Sequence, residues 1–226
     1  MADPLSGKHV LVTSGPTRAP LDAVRYLSNR STGRLGRRIA TEMLRRGAEV
    51  TLVSGPDAAL PDREELTEGE IGRLRVVPVE TVPDLLDALE RSLAGPGPPG
   101  AVVHAMAVLD YVPETPEPEK MPSSRREWSI RLVRAPKVVK RIRQWMPEGC
   151  LIQFKLEVRA SEEELRRRAM ESLRANRADY VVANDLSRIR DEAHPALILD
   201  AEGRVLGRPG TKGEIADALC DLLAVV

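Results

Sequence analysis

Residues 34–46, RLGRRIATEMLRR, set Leu35, Ile39 and Met43 at i, i+4 and i+8 with arginines on the opposite side, and Gly47 follows directly. That spacing predicts an amphipathic helix closed by a glycine at its C′ position. The helix is bracketed by two β-branched runs suited to buried strands, Lys8 to Thr13 (KHVLVT) and Glu49 to Ser54 (EVTLVS). Strand, helix, strand in this order is a βαβ unit. It requires parallel strands and a right-handed crossover, which commits the chain to an α/β fold.

The alternation continues. Leu74 to Val79, Ala101 to Met106, Leu151 to Lys155 and Asp179 to Ala183 read as further strands, and Val82 to Leu93 and Val138 to Trp145 as helices. Trp128 to Val133 (WSIRLV) alternates and predicts a strand. Ser161, followed by Glu164 at the third helical position, has the pattern of a capping box. Ala196 to Leu199 and Arg204 to Leu206 form a hairpin around Glu202-Gly203, and Thr211 to Val225 is the last helix. GPGPPG at 95–100 is a turn-rich break, and residues 111–126 read as a long surface loop. The predicted architecture is a Rossmann-like, doubly wound, mostly parallel sheet, with ligands at the carboxyl ends of its strands. Residues 1–226 are read as one domain.

Composition removes several function classes. Thirty-four basic residues balance 34 acidic ones, so the excess of positive charge expected of a general nucleic-acid binder is missing. No apolar run approaches the ~20 residues of a membrane span. The opening MADPLSGKHVLV lacks the basic and apolar segments of a secretory signal. Cys150 and Cys220 make no disulfide framework and no CxxC pair, and they read as buried thiols. The three histidines are scattered, with His104 inside a strand as a core residue, and no Ser-His-Asp order emerges. The expectation is a cytoplasmic protein that binds small molecules.

Four segments could carry the chemistry. The first is Ser14 to Gly36, a long polar connection that runs from the first strand into a helix N-terminus, where backbone N–H groups and the helix dipole favour an anion. It is not the GxGxxG dinucleotide fingerprint. The second is Ala107 to Lys120 (AVLDYVPETPEPEK), with Asp110 and Tyr111 just past a strand end and Lys120 in the proline-rich loop. The third is FKLE at 154–157, which holds the chain's only phenylalanine. The fourth is Ala183-Asn184-Asp185, which also reads as a plain Asx turn. Arg166 to Arg168 on a helix are a further candidate, which also reads as a solvated face.

Together these segments resemble phosphopantothenoylcysteine synthetase, the ligase of coenzyme A synthesis. The resemblance rests on VTSGPTRAPLDAVRYLSNRSTGRLGRRIATEMLRRGAEVTLVSGP, then AVLDYVPE, EKMPSS, the FKLE strand end and the VVAND strand end, in the family's order. It covers nearly the whole chain. It implies a Rossmann-like fold with a small mixed dimerisation subregion, a homodimer whose site is completed by the Lys120 loop of the other subunit, and a two-step reaction. A nucleoside triphosphate, CTP or ATP, activates the carboxylate of 4′-phosphopantothenate as an acyl-nucleotidylate. The amine of cysteine then displaces the nucleoside monophosphate. A flavin decarboxylase domain does not fit into 226 residues, so the stand-alone form is expected.

By this resemblance Asn29 supports the second step, Lys120 is the loop lysine of the first, and Gly15, Ser31 and Gly33 hold phosphate. Met106, Ala107, Asp110 and the segment Pro136, Lys137, Val138 and Val139 meet the nucleotide, Phe154 packs on its base, and Arg168 stands near a base- or phosphate-contacting position. The triphosphate implies Mg²⁺; the resemblance places no metal ligands. The KMPSS and FKLEV segments depart from the lysine-rich loop and FAAET of many bacterial relatives and look more like the eukaryotic type, so CTP and ATP both stay open. A non-catalytic nucleotide-binding homologue is one alternative. The other is a nicotinamide-dependent short-chain reductase, but no tyrosine here has a lysine four residues later.

Overall fold

The computed structural model describes residues 3–226. In chain order its elements are β1 (His9–Ser14), β2 (Arg18–Pro20), β3 (Tyr26–Ser28), α1 (Arg34–Arg45), β4 (Glu49–Ser54), α2 (Glu68–Gly72), β5 (Leu74–Pro78), α3 (Val82–Leu93), β6 (Ala101–His104), β7 (Tyr111–Pro113), β8 (Leu132–Arg134), α4 (Val138–Trp145), β9 (Cys150–Glu157), α5 (Glu162–Asn176), β10 (Tyr180–Asp185), β11 (Ala196–Asp200), β12 (Val205–Gly207) and α6 (Lys212–Ala224). The main sheet has eight strands in the order β12-β11-β10-β9-β6-β1-β4-β5. β5 through β10 of that order are parallel, and β11 and β12 return antiparallel at the edge.

The two-residue period of the strands sorts the core into two layers. Leu11, Val53, Val102, Leu151 and Val181 face α3, α4 and α5. Val10, Val12, Leu52, Val103 and Ile152 face α1 and α6. The predicted stripe of α1 is realised: Ile39 and Met43 are fully buried and Leu35 partly so. Gly47 ends that helix at φ 92°, its N–H on the Leu44 carbonyl and the Ala48 N–H on that of Met43. These two bonds are those of a Schellman motif.

Several local expectations are corrected. The connection after β1 contains a hairpin, β2 on β3, and Tyr111–Pro113 of the expected loop pairs with β8. These strands have only three residues each, too few for an apolar alternation to mark them. The Trp128 to Val133 strand shrinks to β8, and β6 stops at His104, which leaves Met106 beyond its end. The Ser161 capping box is half made. Ser161 accepts the Glu164 N–H, but the Glu164 carboxylate pairs with Arg168 instead of turning back. Complete boxes form at Thr67/Glu70 and Thr81/Asp84.

Candidate active site

β1 lies at the sheet centre, with β4 and β5 built to one side and β6, β9 and β10 to the other. The gap between the carboxyl ends of β1 and β6 is therefore the topological switch point, where open α/β sheets bind ligands. Past the strand ends the two chains stay bonded. The Ala107 N–H donates to Gly15 O at 2.8 Å, and the Thr17 N–H donates to Ala107 O at 3.2 Å. Thr17 is buried, and its hydroxyl accepts the Leu109 N–H.

Asn29 reaches across this junction. Its Nδ2 donates to the carbonyls of Ala107 and Val108, both at 3.1 Å. The structure thus brings Asn29, Gly15 and Ala107 together, with Met106 next in the chain. Ser31 and Gly33 follow on the same connection and lead into α1. Gly33 precedes that helix at φ 70° and has no side chain with which to cap it, so no side-chain acceptor meets the first N–H groups of α1. A Cβ on Gly15 or Gly33 would fall 2.5 and 2.7 Å from the Ala58 side chain, which fixes both positions as glycine.

Asp110 and Lys137 form an ion pair of 2.8 Å on the α4 and α5 side of the sheet. They line a cleft of about 500 Å³ with Tyr111, Arg134, Lys140, Ser172 and Asn176. The cleft carries three cationic side chains and one carboxylate, Asp110. Pro136 is exposed beside it. Val138 and Val139 are 3% and 6% exposed and pack into the core, so only the backbone of that segment can face a ligand. Below the cleft the Asn176 amide donates to Gln153 Oε1 at 2.7 Å, a buried polar pair that spacing did not reveal.

Phe154 and Arg168 stand elsewhere. Phe154 packs partly buried on the α1 and α6 layer. It does not line the Asp110 cleft. Arg168 is committed to two carboxylates, Glu157 at 2.6 Å and Glu164 at 2.5 Å, and Glu157 also holds Lys155 at 3.0 Å. The arginine run is therefore not a solvated face alone. Arg166 donates to Gly203 O, and Arg167 pairs with Glu171.

Lys120 is exposed, and its loop is anchored by a residue that sequence reasoning missed. Asp22 is buried and accepts the N–H groups of Val24, Arg25 and Met121 and the Arg25 guanidinium. Burial alone would raise its pKa, but the bonds from Val24, Met121 and Arg25 outweigh that and hold it below the ordinary 3.8. At the other strand end Asp185 makes the expected Asx turn onto Ser187, while Asn184 bonds to His194.

Three buried titratable groups are poor chemists. Burial pushes both Cys150 and Cys220 up to about 12, so neither is a thiolate at neutral pH. His104 bonds to Thr13 at 2.9 Å and is driven down to about 4 by burial. Among the described residues no cluster of three or more His, Cys, Asp or Glu could hold a metal ion. No helix of the described residues is long and apolar enough to cross a membrane.

Comparison with known proteins shows the family and the fold. Residues 5–226 match the family described as the DNA/pantothenate metabolism flavoprotein C-terminal domain. The coenzyme A biosynthesis bifunctional protein CoaBC of Thermococcus kodakarensis is 35% identical over 96% of this chain and 51% of its own length. The CoaBC of Bacillus subtilis is 32% identical over 81% of this chain and 41% of its own. The chain thus spans about half the length of the curated relatives it matches. The crystal structure of the DNA/pantothenate metabolism flavoprotein from Streptococcus pneumoniae superposes with a TM-score of 0.85 at 28% identity, covering 97% of this chain and 99% of that one.

Proposed function

This chain belongs to the family of the DNA/pantothenate metabolism flavoprotein C-terminal domain, and from that premise we propose that it is a phosphopantothenate–cysteine ligase. The observation that carries the reading is the Asn29 amide, laid across the β1–β6 junction beside the glycines that lead into α1. Residues 1–226 are read as a single ligase domain working in the cytoplasm.

In the first step the phosphopantothenate carboxylate attacks the α-phosphorus of CTP or ATP, and the bond to pyrophosphate breaks. The substrate's own phosphate lies on the uncapped N–H groups of α1, near Gly15, Ser31 and Gly33. The triphosphate enters past Met106 and Ala107 toward Asp110, Pro136 and Lys137, with Val138 and Val139 offering their backbone. Lys120 supplies a cation to the developing charge on the leaving group. In the second step the cysteine amine attacks the acyl carbon, the mixed anhydride opens, and the nucleoside monophosphate departs. The Asn29 amide, released from Ala107 and Val108, donates to the carbonyl oxygen as charge builds on it.

Mg²⁺ bound to the triphosphate would shield its charge and orient the leaving group. A magnesium ion that arrives on phosphate needs only one or two protein carboxylates, and Asp110 is the one lining the cleft. Phe154 and Arg168 take part where the base crosses the end of β9.

A homodimer completes the site. Val24, Tyr26, Tyr111 and Leu132 are exposed on the two hairpins beside the Lys120 loop, an apolar face that a second copy would cover. Mass spectrometry of a reaction with 4′-phosphopantothenate, cysteine and nucleotide tests the function. A product joining the two with loss of water supports it, and its absence with both CTP and ATP refutes it.

A further inference from the structure

A second polar cavity borders the proposed active site and shares the start of α1 with it, using the side chains of that helix rather than its N–H groups. It has a volume of about 310 Å³ and sits between the start of α1, the residues around Ala59 and Glu65, and the start of α6. Arg34, Arg37, Arg38 and Lys212 line it against two carboxylates, Glu65 and Glu192. None of Gly15, Ser31, Asn29 or Asp110 is in its wall.

The charge here opposes helix stability. The first turn of α1 carries no acidic residue and begins with arginine, at the end where the dipole favours negative charge. Arg34 and Arg38 are four apart, a like-charge pair on one face. Arg37 is answered by Glu65 at 3.0 Å, and Lys212 only distantly by Glu192 at 3.9 Å. Arg34 and Arg38 meet no carboxylate among the described residues. The Arg38 guanidinium reaches over to α6, within 3.4 Å of where a Cβ on Gly213 would stand. Lys212 is itself buried, its side chain 8% exposed.

The second observation is Thr41. It is 2% exposed, lines the cavity, and its hydroxyl has no hydrogen-bond partner. A buried hydroxyl left unpaired is costly, and a threonine in a helix can ordinarily bond to the preceding turn. A ligand oxygen in the cavity would satisfy it and neutralise the two unanswered arginines at once.

We propose that this cavity binds a phosphate dianion, free or carried by a small molecule, with Arg34, Arg38 and Lys212 as cations and the Thr41 hydroxyl as a donor. The proposal does not depend on the ligase reading. The test is a TROSY titration of ¹⁵N-labelled protein with inorganic phosphate and with glycerol 3-phosphate, at constant ionic strength set by chloride. Saturable shifts are expected at the Thr41 amide and the Arg38 Nε–H. Arg34→Gln/Arg38→Gln should weaken binding there about tenfold or more, and Thr41→Val should weaken it without altering the charge. Tighter binding of the ester identifies a phosphorylated small molecule as ligand, and equal binding identifies free phosphate. The Gly15 amide reports the proposed active site separately. A response confined to Gly15, or one that the double variant and Thr41→Val both leave unchanged, overturns the proposal.

Discussion

Asp22 accepts the backbone N–H of Met121 at 3.0 Å, across 99 positions of chain. Through this bond the turn between β2 and β3 holds the loop on which Lys120 sits. Asp22 is a positioning residue. Asp22→Ala removes the acceptor for three backbone donors, so the 117–126 loop should become mobile. Trypsin should then cut faster at Arg125 and Arg126. With Lys120 in the role proposed above, pyrophosphate release should fall about tenfold or more, since a small misplacement of a catalytic group is expensive. Unchanged proteolysis together with unchanged turnover would remove the tether from the account.

The tether also has a pH signature. The native pKa of Asp22 is lowered, so its contribution to stability is complete above the ordinary value of 3.8 and is lost as the pH falls below that value through the native one. Loop protection against a protease active in acid should fade in that window in the wild type. An equal loss in Asp22→Ala would assign it to other groups.

The histidines act at higher pH. Burial, with the Lys137 charge adding to it, puts His104 at about 4, and burial with Lys212 does the same for His194. Both would titrate near 6.5 when unfolded. Between those values the unfolded chain binds protons that the folded chain does not, so stability should fall as the pH drops from about 6.5 toward 4. Urea midpoints at pH 7 and pH 5 measure this. His194→Gln should show a smaller drop than the wild type, and an identical drop would contradict the assignment.

Much of the fold was legible in the residues, for a physical reason. β1, β4 and β9 are buried on both faces and read as apolar runs, while α1, α3 and α4 carry one apolar stripe each. The elements that sequence missed are stabilised by partners far along the chain. β7 exists because Tyr111 pairs with Arg134, and no local periodicity encodes that. The site divides in the same way. Gly15 and Ala107 follow strands that the pattern located and Gly33 precedes the helix it located, whereas Asn29 follows β3, which no pattern marked. Asp22 looked like any turn aspartate, and the pairing of Arg168 with Glu157 required knowing that α5 packs on β9. Phe154 stands out as the single phenylalanine, but its face of the sheet is not legible in the residues.

Arg143 ties the end of α4 to β9 and β10. Its guanidinium bonds to the carbonyls of Met146, Pro147, Gly149 and Arg177 and to the Asp179 carboxylate, with its side chain 7% exposed. Arg143→Met keeps the apolar stem and orphans these acceptors. It should destabilise the fold by about 3 kcal/mol, read from the urea midpoint. A loss under about 0.5 kcal/mol would rank it with ordinary surface changes.

Asn29 and Lys120 should fail at different steps. Lys120→Ala should form no acyl-nucleotidylate, whereas Asn29→Ala should form it and let it accumulate. Quenched-flow chromatography separates the two outcomes. Normal intermediate formation by Lys120→Ala, or normal consumption of cysteine by Asn29→Ala, would reassign that residue.

The most direct test of the central claim is pyrophosphate release by the purified chain with 4′-phosphopantothenate and Mg²⁺, run with CTP and with ATP. Release that requires phosphopantothenate with at least one of the two nucleotides is the predicted result, and the faster nucleotide is the natural one. No release with either, from protein shown to be folded, would contradict the claim and leave a nucleotide-binding homologue without ligase chemistry.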